Sequence, residues 1–168
     1  MLTVLSILLP LSLGQGEALK RYEFTGVTVK VPKSWQVSSE DDTGKEWASE
    51  DERAQLAFSS FPVEPLRPAK ACVKQLVEAV KGPAPSDAGP TPTFVNTTIG
   101  GQPAAKLITT DYVAETDDKL EENKVTTTTI VGCSGKTKWL LTFSARTSDA
   151  ARSGALLKRV TDSLTYLK

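Results

Sequence analysis

Residues 22–35 read YEFTGVTVKVPKSW, and this stretch decides the fold class of the chain. Its apolar residues recur at every second position on both sides of Gly26, but the parity of the alternation changes there. A period of two is typical of a half-buried strand, and glycine readily takes the positive φ that a tight turn requires. The stretch therefore predicts strand structure with a turn or a bulge at Gly26. Pro32 ends this strand region, because proline has no N–H to donate to a neighbour.

The remaining chain continues with further strands and two helices. Apolar residues that repeat every three or four positions predict amphipathic helices over 68–81 and 148–167. Strands are predicted from Trp35 to Val37, at Trp47, and over 56–61, 94–99, 104–114, 125–131 and 137–145. Links of hairpin length favour antiparallel pairing. We therefore expect an α+β fold: an α/β/α sandwich with a mainly antiparallel sheet of about six or seven strands, flanked by two main helices.

Residues 1–16 differ from the rest in charge, since all 20 basic and all 20 acidic side chains lie from Glu17 onward. The apolar run at 2–13 is too short to span a bilayer but has the length of a secretory signal core. No Lys or Arg precedes it, which departs from that pattern, and a buried strand or helix is the alternative. We expect a signal peptide over 1–16 and a single domain over 17–168. The mature protein would then be periplasmic or secreted, with no membrane anchor after cleavage.

Three short motifs, in this order, resemble the PsbP/DcrB/LpqN-like superfamily of small α/β/α-sandwich proteins. They are the strand with Pro-x-x-Trp that ends at Trp35, the Gly-x-x-Ala turn within 99–105, and the helix end at 160–164. The resemblance covers about residues 20–168. It implies a non-enzymatic binding or assembly module with no cofactor. It carries over no catalytic residue, because the superfamily has no shared one to match.

The composition excludes several function classes. A formal net charge of zero lacks the basic footprint of a nucleic-acid binder, so no nucleic-acid partner is expected. The chain has no histidine, which excludes mechanisms that need an imidazole base or ligand. The leading hypothesis is an exported, non-enzymatic binding or assembly protein of the bacterial cell envelope type. It would contact an unidentified protein partner through one face of the sheet, or through loops at 82–93 and 115–122.

Two alternatives to this hypothesis stay open. A carrier for a small apolar ligand would need a sizeable cavity between sheet and helix. A hydrolase would use clustered carboxylates, for which 40–42, 50–52 and 115–122 are the acidic stretches. The same stretches raise a calcium site, but they lack the spaced Asp/Asn-Gly loop of a dedicated one, which favours solvated loops.

The two cysteines, Cys72 and Cys133, are the candidate disulfide. Cysteines commonly pair in an oxidising compartment, and this bond would join the first helix to the turn before the 137–145 strand. The alternative is two free thiols, with Cys72 a small apolar core residue. A redox enzyme is not indicated, since there is no Cys-x-x-Cys motif.

The three tryptophans are candidates for partner contact. Trp139 lies in a strict alternation and is predicted in the core, as is Trp35. Trp47 lies among charged residues, so it is either at the core edge or an exposed contact. We take Trp47 as the candidate partner contact. The run GCSGKT at 132–137 resembles a phosphate loop, but it lacks the first glycine and the following helix, so a hairpin turn is predicted.

Overall fold

The structure is a computed structural model of the chain, and it describes residues 17–81, 93–112 and 124–167. Ten strands and two helices are described there. In chain order they are β1 (Leu19–Phe24), β2 (Val27–Pro32), β3 (Gln36–Glu40), β4 (Gly44–Ala48), β5 (Ala54–Pro62), α1 (Ala69–Lys81), β6 (Val95–Ile99), β7 (Gln102–Tyr112), β8 (Lys124–Cys133), β9 (Thr137–Arg146), α2 (Ala150–Asp162) and β10 (Thr165–Tyr166). A 3₁₀ turn, Thr147–Asp149, leads into α2.

Seven of these strands form one antiparallel sheet in the order β3-β4-β5-β9-β8-β7-β6. Hairpins link β3 to β4, β4 to β5, β6 to β7 and β8 to β9. The long pairing of β5 with β9, from Ala54 opposite Ala145 to Pro62 opposite Thr137, joins the two halves of the sheet. The predicted α+β fold, with a mainly antiparallel sheet of six or seven strands and two main helices, is confirmed.

The two faces of the sheet carry separate clusters of buried side chains. β9 alternates strictly between buried and half-buried residues, as its sequence predicts, and it points Trp139, Leu141 and Phe143 toward α2. The opposite face buries Val131 and Cys133 of β8 against α1. The helices therefore pack on opposite faces of the sheet.

A second sheet of three strands, in the order β1-β2-β10, packs on the α2 side of the large sheet. The turn between β1 and β2 lies at Gly26, whose φ is +68°, so of the predicted turn or bulge the structure has the turn. The three valines of β2 at 27, 29 and 31 are 0% exposed. The sequence does not show that this hairpin forms a sheet of its own, because the third strand comes from the far end of the chain.

Several predicted boundaries differ from the observed ones, and two of the differences concern the core. The last helix ends at Asp162 rather than at 167, since the Ser163 hydroxyl accepts the Lys30 N–H and the chain turns to pair with β2. Trp35 precedes β3 instead of opening it, and its ring stacks on Phe143 in the core at a centroid distance of 6.2 Å.

Several predictions fall outside the described residues. These are the signal peptide over 1–16, the loop over 82–92 and the acidic stretch over 115–122. Within the described ranges, neither helix is long and apolar enough to cross a membrane.

Candidate functional site

Trp47 is buried, which favours the core alternative for this residue and corrects its choice as the candidate partner contact. Its side chain is 0% exposed. The β1-β2 hairpin covers it, with the rings of Tyr22 and Phe24 edge-on at centroid distances of 4.9 and 6.3 Å. Of its charged neighbours, Glu46 is exposed because adjacent residues of a strand point to opposite faces.

Cys72 and Cys133 lie at disulfide distance, with their Sγ atoms 2.13 Å apart and their Cα atoms 6.1 Å apart. Cys72 belongs to α1 and Cys133 ends β8, so the pair connects the helix to the sheet. Both side chains are buried. The pair therefore belongs to the framework and not to an accessible site.

The acidic stretches near the start of the chain form turns. The Asp41 carboxylate accepts the Thr43 hydroxyl, the Thr43 N–H and the Gly44 N–H at 2.7, 2.7 and 2.8 Å. These hydrogen bonds hold the pKa of Asp41 below its ordinary value of 3.8, and the bond from the Thr43 hydroxyl has the largest effect. The Ser49 hydroxyl, followed by the Arg53 N–H, lowers the pKa of Asp51 in the same way. A general acid needs a raised pKa, so neither Asp41 nor Asp51 suits that role in a hydrolase.

No group of three or more Cys, Asp or Glu side chains within the described ranges could hold a metal ion. The calcium hypothesis at 40–42 and 50–52 therefore finds no ligand set there.

A large open space lies beside α2, and we call it the α2 cleft. It has a volume of about 830 Å³ and lies between α2 and the sheet face of β6 to β9. Thr126, Thr128 and Ile130 of β8 contribute to its floor. On the helix side, Gly154 leaves room, because a Cβ there would meet nothing within 4 Å. The cleft exists because α2 packs over β9 and β2 and leaves the outer strands uncovered.

Two exposed apolar side chains lie on this uncovered sheet face. Ile108 of β7 is 55% exposed and lines the α2 cleft, and Val95 of β6 is 66% exposed. The register places both on the α2 face, since Val95 pairs with Lys106 and Ile108 with Thr128. Exposed apolar side chains beside a cleft are a common feature of binding surfaces.

A second space, the α1 cleft, lies on the opposite face between α1 and β6, with a volume of about 770 Å³. Its apolar wall includes Val73 and Val77. Three lysines of α1 also line it: Lys70, Lys74 and Lys81. No acidic residue is among the described residues that line it. Lys81 pairs with Glu78 at 3.4 Å, whereas none of the described residues forms an ion pair with Lys70 or Lys74.

Strand β6 separates the two clefts, and Thr97 and Thr98 line both. It is an edge strand, since β7 is its one partner among the described strands. This region was not among the sites predicted from the sequence. The mostly polar strand sequence VNTTI and the lysines of the first helix are visible in the sequence. Only the fold shows that this strand and these lysines lie together.

The architecture matches known proteins in structure but not in sequence. No protein-family model matches the sequence, and no curated protein matches it in sequence. Among solved structures, cyanobacterial PsbP (CyanoP) from Synechocystis sp. PCC 6803 superimposes with a TM-score of 0.55 and 14% identity, over 93% of this chain and 96% of that one. The chain has the PsbP-like fold.

Other solved structures share the PsbP-like fold. The Ran-binding protein Mog1p from Saccharomyces cerevisiae matches with a TM-score of 0.53 and 11% identity, over 90% of this chain and 96% of that one. LpqN of Mycobacterium tuberculosis, described as involved in cell envelope biogenesis, matches at 0.50 and 13%, over 92% and 88%. A protein from Bacteroides thetaiotaomicron matches at 0.57 and 14% over 86% of this chain, which spans only 46% of that protein. The resemblance to PsbP and LpqN expected from the sequence is confirmed for the fold.

Proposed function

We propose that this protein is a non-enzymatic binding or assembly protein that holds a protein partner on the uncovered half of its sheet. The observation that carries the proposal is the α2 cleft with the exposed Ile108 at its outer side. A partner that covers Ile108 and Val95 removes their apolar surface from water, which favours association by about 25 cal/mol per Å² of apolar area before the costs of binding.

The solved structures with a PsbP-like fold support a role in binding a protein partner. Mog1p is described as a Ran-binding protein, and LpqN as involved in cell envelope biogenesis. Fold alone does not transfer a function, so these proteins only support the proposal, and the α2 cleft carries it.

We place the protein outside the cytoplasm, in the periplasm or secreted. The uncharged apolar run at 2–13 and the cysteine pair at disulfide distance support this location. A fusion of residues 1–30 to a reporter enzyme that is active only after export tests it in a bacterial host. We expect reporter activity, and its loss when Leu8 and Leu9 are replaced by Asp. Equal activity with and without these changes would contradict export by this segment.

The small apolar-ligand carrier is the second candidate, because the volume of the α2 cleft lies within the 300–1,000 Å³ typical of ligand pockets. The two candidates differ in what fills the cleft. Native mass spectrometry of the purified protein separates them: a co-purified small molecule that is lost from a Gly154→Leu variant would favour the carrier.

A photo-crosslinking amino acid at position 108 tests the protein-binding proposal in cells that produce the protein naturally. The matched control is position 37, because Val37 is also an exposed apolar strand residue, at 46% against 55% for Ile108, but lies in β3 at the other edge of the sheet. We expect one discrete protein adduct from position 108 and none from position 37. Gly154→Leu should reduce the adduct by narrowing the cleft. Equal adducts at both positions, or none at 108, would overturn the proposal.

A further inference from the structure

We propose that β6 accepts an extended segment of the partner as an eighth strand, and that the side chains of this segment alternate between apolar and acidic. This inference rests on the proposed function and specifies the chemistry of the partner. Strand addition uses main-chain hydrogen bonds for affinity and the flanking spaces for specificity.

The edge of β6 is suited to pairing. An edge strand points N–H and C=O groups outward, and proteins usually protect such an edge with charges, proline or a bulge. Val95–Ile99 contains no charged residue and no proline, and its pairing with β7 runs without a register shift. The opposite edge differs, because β3 carries Glu40 and a register irregularity between Val37 and Ser39.

The two clefts open on either side of this edge. Val95 and Thr97 point toward the α2 face, and Asn96 and Thr98 toward the α1 face, because successive strand residues alternate. A strand added beside β6 continues this alternation. Its odd and even side chains therefore lie at the mouths of the α2 cleft and the α1 cleft respectively.

The lining residues determine which side chains fit each mouth. On the α2 face, the added side chains lie beside Val95 and in the direction of Ile108, which favours apolar residues. On the α1 face they lie beneath Lys70 and Lys74, whose ammonium groups have no acidic partner among the described residues. Carboxylates at these positions complement the lysines, whereas added basic residues would be repelled.

Charge complementarity favours a partner segment over a second copy of this chain. Strand β6 of another molecule would bring only valine, asparagine, threonine and isoleucine to this edge. It offers no carboxylate to Lys70 or Lys74.

A designed peptide tests the inference directly. The probe is an eight-residue peptide of alternating leucine and glutamate, capped at both ends and fluorescently labelled. There are two control peptides. The first has the same composition with its glutamates placed in one block, and the second has lysine in place of every glutamate. We expect anisotropy to show binding of the alternating acidic peptide, at least tenfold tighter than either control. Hydrogen exchange of the backbone amides at 95–99 should slow when it binds.

Variants of the protein separate the lysine contacts from general charge. Lys70→Gln combined with Lys74→Gln should weaken binding about tenfold and reduce its salt dependence, since it removes two ion pairs. The matched control is Lys30→Gln with Lys33→Gln, which removes two exposed lysines in and next to β2. We expect this control to bind as the unchanged protein does.

Each outcome either supports or overturns the inference. Equal binding of the three peptides, or binding without protection at 95–99, would overturn strand addition. Concentration-dependent dimers that protect 95–99 and exclude the peptide would show a second copy as the occupant, and would overturn it as well. If position 108 still yields its protein adduct in these cases, the proposed function stands and only the strand is wrong.

Discussion

At the scale of single residues, two glycines show how differently the same residue type is used. A Cβ on Gly132 would lie 2.2 Å from Cζ2 of Trp139, so the absence of a side chain there is what admits the indole. Trp139 is 1% exposed and its Nε1–H donates to the Tyr166 hydroxyl at 2.7 Å, so the ring has little freedom to move away. Gly154 in α2 meets nothing, and its lack of a side chain serves only the width of the α2 cleft.

We predict that Gly132→Ala lowers the free energy of unfolding by about 1–3 kcal/mol, because overpacking displaces a buried ring. Gly154→Ala is the matched control. It should raise that free energy by about 1 kcal/mol, since alanine is the better helix former and the space is open. Urea denaturation followed by circular dichroism measures both. A Gly132→Ala protein as stable as the unchanged one would show that Trp139 does not need the space.

At the scale of elements, α1 depends on the sheet. It has 13 residues, a length at which an isolated helix is marginal, and of these only Cys72 and Val73 are buried. Packing on β7 and β8, together with the Cys72–Cys133 pair, holds it in place. This position matters for function, because it sets Lys70 and Lys74 beside β6.

We predict that Cys72→Ala with Cys133→Ala lowers the free energy of unfolding by about 4 kcal/mol, the value that chain entropy gives for a sequence separation of 61 residues. Urea denaturation of the unchanged protein with and without a reductant tests the same contribution to the free energy of unfolding. The reductant should leave the midpoint of the double variant unchanged. If the reductant fails to shift the midpoint of the unchanged protein, the two cysteines are not bonded in solution.

The elements that the sequence predicted best are those that depend only on residues close together in the chain. The strict alternation of β9 and the turn at Gly26 could be predicted because each depends on a few neighbouring residues. The end of α2 could not. Leu164 and Leu167 continue the helical spacing, but the chain leaves the helix at Ser163 because pairing with β2 is available there. Leu164 is then buried in the core without being helical.

At the scale of the whole molecule, the two ends of the described chain hold each other. Strand β10 pairs with β2, and the Leu167 N–H donates to the Gly26 carbonyl at 2.9 Å. Tyr166 reaches Trp139 in the large sheet, so the tail also ties the small sheet to the large one. Burial raises the pKa of Tyr166 above its ordinary value of 10.0, against the opposing effect of the Trp139 hydrogen bond.

We predict that deleting residues 164–168 lowers the free energy of unfolding by about 2–5 kcal/mol or more. The reason is that the deletion removes the buried Leu164. Tryptophan emission should also shift to longer wavelength as water reaches Trp139. Thr165→Ala is the control, since it changes an exposed side chain of the same strand. Unchanged stability and emission after the deletion would show that the tail is not part of the fold.

The sequence by itself determined the fold class, most strand and helix positions, the core role of Trp35 and Trp139, and the two cysteines as a candidate pair. These follow from local periodicity and composition, which neighbouring residues are enough to show. Only the tertiary structure decided that Trp47 is covered by the β1-β2 hairpin, that the strand β10 follows α2, and that two clefts flank β6. The physical reason is that burial at these places is supplied by segments far away in the chain, and no local pattern records which distant segment comes to cover a residue.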